Sequence, residues 1–337
     1  MPFISVDSLL WWEMLEESDY DLYHLPGYVS LDASLIGGEA MAWYYERDGM
    51  KCLMPLIRRA VPEMYKRDGL YDVVSPYGYP GILFNRELEV VEAAKVIDAY
   101  RKEAMDEGLV SGFVRLNPFK NEWDIGVLGC EAVSIGCTVA VNLEDFEKGS
   151  FRENHRRDLR QLHEGGYSAT VNEWNYLPEF IEAYYETMCR RQAMPYYFFP
   201  EWYFSKLREM ADEHLIFVSV MSPEGKYVSG GLYTHFHGIM QFHLGGTCYD
   251  RLGLSASKMV MEKAIEIGRQ LNAKWLNLGG GVGADSSDGL YKFKQGFASH
   301  KLPFTCLQFI HNYDYYRALC SKLENRVEEV FFPGYRK

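Results

Sequence analysis

The sequence predicts an α/β protein built from two similar units in tandem. Three observations carry this. The chain has 337 residues, more than one hydrophobic core usually serves. The order strand, strand, loop, helix, strand is read in both halves. Between the halves lies the acidic stretch "NLEDFEKGS" (142–150), ending in Gly-Ser. The expected domains are 1–145 and 146–337, with roughly the last 30 residues packing back on the first domain.

The second half gives the pattern first. "KYVSGGLYTHFHGIMQFHLGGTC" (226–248) reads as two strands joined at His237-Gly238, and "RLGLSA" (251–256) as a loop. "SKMVMEKAIEIGRQLN" (257–272) has Met259, Ala264 and Ile267 among its apolar positions with charges between them, an amphipathic helix. "AKWLNLGG" (273–280) is a further strand. In the first half, "AWYYERDGMKCLMPLIRR" (42–59) is a hairpin turning at Asp48-Gly49, matched here to strands 226–248. "YDVVSPYGYPGILF" (71–84) is a strand running into a Pro/Gly loop. "VVEAAKVIDAYRKEAMDEG" (90–108) is a helix stopped by Gly108, and "LVSGFVRLNPF" (109–119) a strand.

Composition narrows the class. Hydrophobic residues at 47% and charged residues at 24% are globular values. A net charge of −12 argues against a protein coated in nucleic acid. A local basic groove stays open, because screening confines charge effects to roughly 10 Å. The 25 tyrosines suit a cleft with one apolar and one polar end. Seven cysteines (Cys52, Cys130, Cys137, Cys189, Cys248, Cys306, Cys320) are odd in number, scattered and never C-x-x-C. That is expected of reduced thiols and gives no metal signature. The N-terminal "MPFISVDSLLWWEMLEE" carries acidic residues where a signal peptide needs basic ones. No apolar run approaches the ~18–20 residues of a membrane span. A cytoplasmic protein without a metal is expected.

The chemistry concentrates in "LGGGVGADSSDGLYKFKQGF" (278–297). It lacks the Gly-Lys-Ser/Thr ending of a nucleotide-binding P-loop, and its glycines lead into an acidic turn rather than a dinucleotide-binding helix. The glycines, Gly279, Gly280 and Gly281 foremost, read as a strand end and turn that launches a helix. Asp285 to Ser287 are good N-caps, and Asp288 in the first turn complements the helix dipole. On that helix Leu290, Phe293 and Phe297 form one apolar face. Lys294 falls about 40° from Leu290, at the margin of the face, while Lys292 points to solvent. A lysine fixed at a cleft edge can stabilise the oxyanion formed when an amine attacks an ester. The same phase also suits a lysine whose stem merely covers apolar surface.

Three further stretches invite a ligand. "FRENHRRDLRQLHEGG" (151–166) is the most basic part of the chain. Its helical phase puts Arg152, Arg156, Leu159, Arg160 and His163 on one face and turns Arg157 away. Guanidinium groups grip phosphate bidentately; a solvated face paired with Glu153 and Asp158 is the competing assignment. "SPYGYPG" (75–81) holds Tyr77 and Tyr79 on a stiff backbone, either lining an acceptor cleft or packing as a rigid turn. "TMCRRQAMPYYF" (187–198) closes a helix over 178–192 with Arg190, either a ligand to the donor's phosphate or a cation placed for the helix dipole, followed by Tyr196 and Tyr197 as acceptor-cleft candidates. Strand histidines His235 and His243 are not assigned as a base.

Strand–strand–loop–helix–strand resembles the central unit of the GNAT acyltransferase fold. Two such units, followed by "GGG…D…FK..F", resemble the FemABX family. That family has a tandem GNAT-like fold and transfers amino acids from aminoacyl-tRNA to an amine in peptidoglycan precursors. The resemblance rests on "PYGYPG", "ENHRRDLRQLHEGGY", "TMCRRQAMPYYF" and "LNLGGGVGADSSDGLYKFKQGF", and it spans the chain. It implies an oxyanion-stabilising role for the lysine of the F-K-x-x-F pattern, here Phe293-Lys294-Gln295-Gly296-Phe297. Arg190 fits an M-x-R-x-x-A pattern seen in relatives. It further implies aminoacyl-tRNA as co-substrate, a small-molecule or peptide amine as acceptor, and no other cofactor. One feature departs from the GNAT pattern. The loop whose glycine amides face a pyrophosphate is here "DRLGLSA", with a single glycine. Acyl-CoA as donor to an amino sugar or amino acid, and a non-catalytic binding protein on the same fold, are the alternatives.

Overall fold

The computed structural model describes residues 2–62, 69–120, 131–281, 288–298, 300–321 and 331–336. In chain order the first elements are β1 (Phe3–Ser5), α1 (Leu9–Glu16), α2 (Pro26–Ile36), β2 (Glu39–Arg47), β3 (Met50–Ala60) and β4 (Tyr71–Val74). There follow β5 (Leu83–Phe84), α3 (Val90–Asp106), β6 (Leu109–Arg115), β7 (Glu131–Asn142), α4 (Glu153–Glu164), β8 (Ser168–Val171) and α5 (Leu177–Arg190). Next come α6 (Glu201–Ala211), β9 (Leu215–Met221), β10 (Tyr227–Phe236), β11 (Ile239–Thr247) and α7 (Ser257–Gln270). The last are β12 (Trp275–Gly279), α8 (Gly289–Lys294), β13 (His300–Ile310) and α9 (Tyr313–Cys320). Among the described residues no helix is long and apolar enough to cross a membrane.

Two compact units result, Met1–Ile135 with Pro303–Lys337, and Gly136–Leu302. In unit 1 the strand order is β1-β2-β3-β4-β6-β13, with β5 beside β3. β2, β3 and β4 run antiparallel in succession, β4 and β6 are parallel across α3, and β13 is antiparallel to β6. Period-two alternation sorts the side chains between two cores. Trp43, Met54, Leu56 and Val73 pack with Val96, Ile97 and Tyr100 of α3. Their chain neighbours Ala42, Leu53, Ile57 and Val74 pack with Trp11 of α1 and Val29 of α2.

The tail of the chain closes this unit. Asp72, with its side chain 1% exposed, accepts from Arg59 Nε at 2.9 Å. It also accepts from Tyr335 Oη at 2.9 Å and pairs with Arg336. Tyr335 Oη lies 2.7 Å from Ser111 Oγ, and Arg336 Nη2 donates to the Ala60 carbonyl at 2.5 Å.

Unit 2 repeats the arrangement in the order β7-β12-β11-β10-β9-β8. β9, β10 and β11 are antiparallel in succession, β11 and β12 are parallel across α7, and β7 is antiparallel to β12. The chain is thus α/β with two tandem GNAT-like units. By topology β2 and β3 correspond to β9 and β10. The matching of 42–59 with 226–248 is therefore one strand out of step. It overlooked β9, "LIFVSVM", buried along its whole length. A strand covered on both faces shows no alternation to read.

Glycines let helices approach the unit 2 sheet. A Cβ on Gly246 would stand 2.5 Å from the Tyr184 amide nitrogen of α5, whereas one on Gly231 would meet Val260 of α7. Gly246 pairs with Gly230, the neighbour of Gly231, so α5 and α7 cover opposite faces. Gly246→Ala must displace backbone rather than a side chain. We expect it to destabilise the protein by about 1–3 kcal/mol, measured as a lower urea midpoint; an unchanged midpoint would mean that α5 is free to shift.

Candidate functional site

The site grows from a parting of two strands in unit 2. β11 and β12 pair only from Ile239–Trp275 to Gln241–Asn277, although β11 continues to Thr247. At the last rung the buried Asn277 side chain donates to Gln241 Oε1 at 2.8 Å and accepts from the Gly279 amide at 3.0 Å. That bond turns the strand end, and Gly279 supplies the left-handed φ of +75° the turn requires. The Gly280 carbonyl, thereby fixed, accepts from Lys294 Nζ at 2.6 Å.

Lys294 is delivered by α8, a helix of only six residues. So short a helix is marginal by itself and depends on its anchors. Asp288 is the N-cap, accepting from the Tyr291 amide at 2.8 Å. This replaces the expectation of caps at 285–287; those positions, Asp285 included, lie outside the described residues. A Cβ on Gly281 would sit 2.4 Å from Asp288 Oδ2, so the cap closes on a glycine. Phe293 and Phe297 seat the helix against Phe151 and His155.

Lys294 is 5% exposed, while Lys292 is exposed. Its Nζ stands 5.7 Å from the ring centroid of Phe242, the first β11 residue beyond the paired rungs. Among the described residues no carboxylate forms an ion pair with it. Burial pushes its ammonium down to about 7, the Arg191 charge pushes the same way, and Asp288 opposes both. A group so placed can present a proton or a positive charge to an anion forming beside it.

Arg191, which no motif singles out, is the arginine whose charge reaches Lys294 and Asp288. Both Arg191 and its neighbour Arg190 are exposed, and Arg190 donates to Thr187 Oγ1 at 3.3 Å. Both lie at the end of α5, and adjacent arginines at a helix terminus carry no local pattern that tells them apart. Arg152, the N-cap of α4, and Arg156 and Arg160 on the helix are all exposed. Leu159 does not share their face; it is buried with His155 and Leu162. Arg157 pairs with Asp158, which also binds the buried Lys258 of α7. His163 bonds Glu262 at 2.8 Å.

Tyr196 and Tyr197 form a half-buried aromatic group, ring centroids 5.3 Å apart, and Tyr184 Oη donates to the Tyr197 carbonyl at 2.5 Å. Tyr77 and Tyr79 belong to unit 1. The Tyr77 amide donates to the buried Asp32 at 2.7 Å, and the Tyr79 carbonyl accepts from Asn117 at 3.1 Å. The Tyr79 ring packs edge-on against Tyr23 and Phe304, so this stretch is a braced turn. At the loop between β11 and α7, Glu186 Oε2 accepts from the Tyr249 amide at 2.7 Å. Among the described residues no group of His, Cys, Asp and Glu side chains is placed to hold a metal.

The architecture that brings these residues together is shared with solved structures. FemX superposes with a TM-score of 0.71 at 13% identity, over 94% of this chain and 99% of that one. L-PGS from Bacillus licheniformis matches with a TM-score of 0.58 at 16% identity, over 90% and 92%. A conserved protein of unknown function from Bacteroides thetaiotaomicron matches at 0.59 and 12%, over 91% and 99%. No family model matches the sequence, and no curated protein matches it. The chain has a FemABX-like fold.

Proposed function

We propose that this protein is an amide-forming aminoacyltransferase, moving an aminoacyl group from aminoacyl-tRNA to an amine. The observation that carries the reading is Lys294, a buried lysine that forms no ion pair among the described residues and lies beside the parted strands β11 and β12. Folding gains little from such a group and catalysis can use it. The acceptor amine attacks the ester carbonyl, and the carbonyl oxygen takes the negative charge. Lys294 as a cation stabilises that oxyanion. Collapse of the tetrahedral centre expels the ribose oxygen, which takes up a proton as the amine loses one. Positioning and electrostatics supply the acceleration, with no covalent enzyme intermediate.

Arg152, Arg156 and Arg160 make an exposed cationic face on an acidic protein, suited to tRNA phosphates. Tyr196 and Tyr197, with Arg191 nearby in sequence, are assigned to the acceptor side. Tyr77 and Tyr79, on a loop of unit 1 braced from within, are assigned only as wall residues of that unit's own cleft. An acyl-CoA donor is disfavoured by the Glu186 carboxylate of α5, which takes the Tyr249 amide of the β11–α7 loop and would face a pyrophosphate bound there.

Bulk tRNA should retard the protein in a mobility-shift assay, and CoA should leave its melting temperature unchanged. Arg156→Ala with Arg160→Ala should weaken the tRNA complex and flatten its salt dependence, because fewer counter-ions are released. Stability should barely change, since exposed arginines contribute little. A CoA-dependent rise in melting temperature with no tRNA shift would reverse the choice of donor.

A further inference from the structure

His155 sits where two elements of the candidate site meet. It lies on α4, the helix with the arginine face, but it points inward and is 2% exposed. Its Nε2 stands 2.9 Å from the Phe293 carbonyl of α8, the residue before Lys294. A carbonyl only accepts, so Nε2 carries the hydrogen. Nδ1 is 3.1 Å from the Asn154 side chain. The ring is held between Phe297, at 4.5 Å centroid to centroid, and Phe293, at 5.5 Å.

The opposite side of this contact is shaped to admit the imidazole. A Cβ on Gly296 would lie 2.2 Å from His155 Nε2. The Gly296 carbonyl meanwhile accepts from the Arg152 amide at 2.8 Å, tying the start of α4 to the end of α8. Burial lowers the His155 pKa, and the Phe293 carbonyl works against it. The other charges that reach the ring are Lys258 of α7, Arg152 at the N-cap of α4 and Asp158 on α4.

We propose that His155 is a positioning residue for Lys294: by donating to the Phe293 carbonyl and filling the space over Gly296, it holds the last turn of α8 so that Lys294 stays against Gly280. The inference rests on the role assigned to Lys294 above. Asp288 anchors the start of the six-residue helix, and His155 anchors its end. Without the second anchor the turn can unwind and admit water to the lysine. The arginine face and Lys294 then also share a mechanical link, one helix carrying the first and bracing the second.

The Lys294 titration reads this directly. Protein labelled with 13C at lysine Cε gives a resonance assigned by its loss in Lys294→Met. In the wild type its midpoint should lie near 7. His155→Phe keeps the ring packing and removes the donor; the midpoint should rise by about one pH unit or more as the ammonium regains water. His155→Gln, which can restore the donor, should return it toward the wild-type value. Gly296→Ala pushes the ring off Phe293 and should raise the midpoint as well, which keeps the test open should His155→Phe not fold. A wild-type midpoint near 10.5 would remove the role given to Lys294 itself. A wild-type midpoint near 7 that neither His155→Phe nor Gly296→Ala moves would overturn the positioning role alone.

Discussion

Lys294→Ala should lower the turnover of aminoacyl transfer by about 10²–10³-fold, the usual cost of losing one oxyanion-stabilising donor. Binding of the acceptor should change much less, because the charge exists only in the transition state. Lys292→Ala should be nearly silent, since that side chain is exposed. The acid form of Lys294 is the active one here, so its lowered pKa sets a direction. As pH rises through about 7 the cation is lost, and the single-turnover rate should acquire a falling limb. Lys294→Arg, which stays charged, should lack that limb. Equal losses from the two lysines would make Lys294 a packing residue.

The same burial predicts a stability effect of opposite sign. The folded-state pKa of Lys294 is depressed from 10.5 to about 7. Below 7 both folded and unfolded chains hold the proton, and the fold bears the cost of a buried cation. Between 7 and 10.5 the unfolded chain binds a proton that the folded chain does not. Stability therefore rises with pH in that window, by up to about 1.4 kcal/mol per pH unit from this group. Lys294→Met should remove that slope and melt a few degrees higher at pH 7 while losing activity. A lower melting temperature for Lys294→Met would show that the Gly280 bond outweighs desolvation.

Asp72→Ala should destabilise unit 1 by about 3–5 kcal/mol, the cost of stranding the partners of a buried charge. Both guanidinium groups that share the carboxylate, those of Arg59 and Arg336, have side chains only 19% exposed. Tyr335 Oη would also lose an acceptor. Amide hydrogen exchange separates the consequences by region. β4 and β13 should lose protection while β9 to β12 keep theirs. Uniform loss across both units would mean that they unfold together.

The fold class was legible because its repeat lies in the order of elements, and α3, α7 and the hairpins have clean periodicity. β7, β9 and β13 were not read. β9 is buried on both faces and shows no alternation. β13, "HKLPFTCLQFI", contains a proline, and its partner β6 lies far back in sequence. In the site, the 100° phase separates Lys294 from Lys292, since one residue type at two positions of one helix differs only by angle. The phase erred on α4, where Leu159 was grouped with the arginines although it packs beside His155 and Leu162. Arg191 and His155 had no local signal. Their meaning comes from what α5 and α4 lie against, which no spacing within either helix encodes.

Unit 1 is completed by residues 303–337, whereas β7 precedes everything else that unit 2 needs. During synthesis residues up to 135 therefore emerge before unit 2 and are completed after it. After position 135 emerges, the 167 residues of 136–302 must be made before position 303 appears. That is on the order of 10–30 s of elongation. Throughout this interval β6 offers an open strand edge, the kind of surface that recruits chaperones or a neighbouring nascent chain. Unit 2, by contrast, has all its strands once residue 302 is out. The order of maturation runs against the order of translation, and a premature stop before β13 is made would release a finished second unit tethered to an unfinished first.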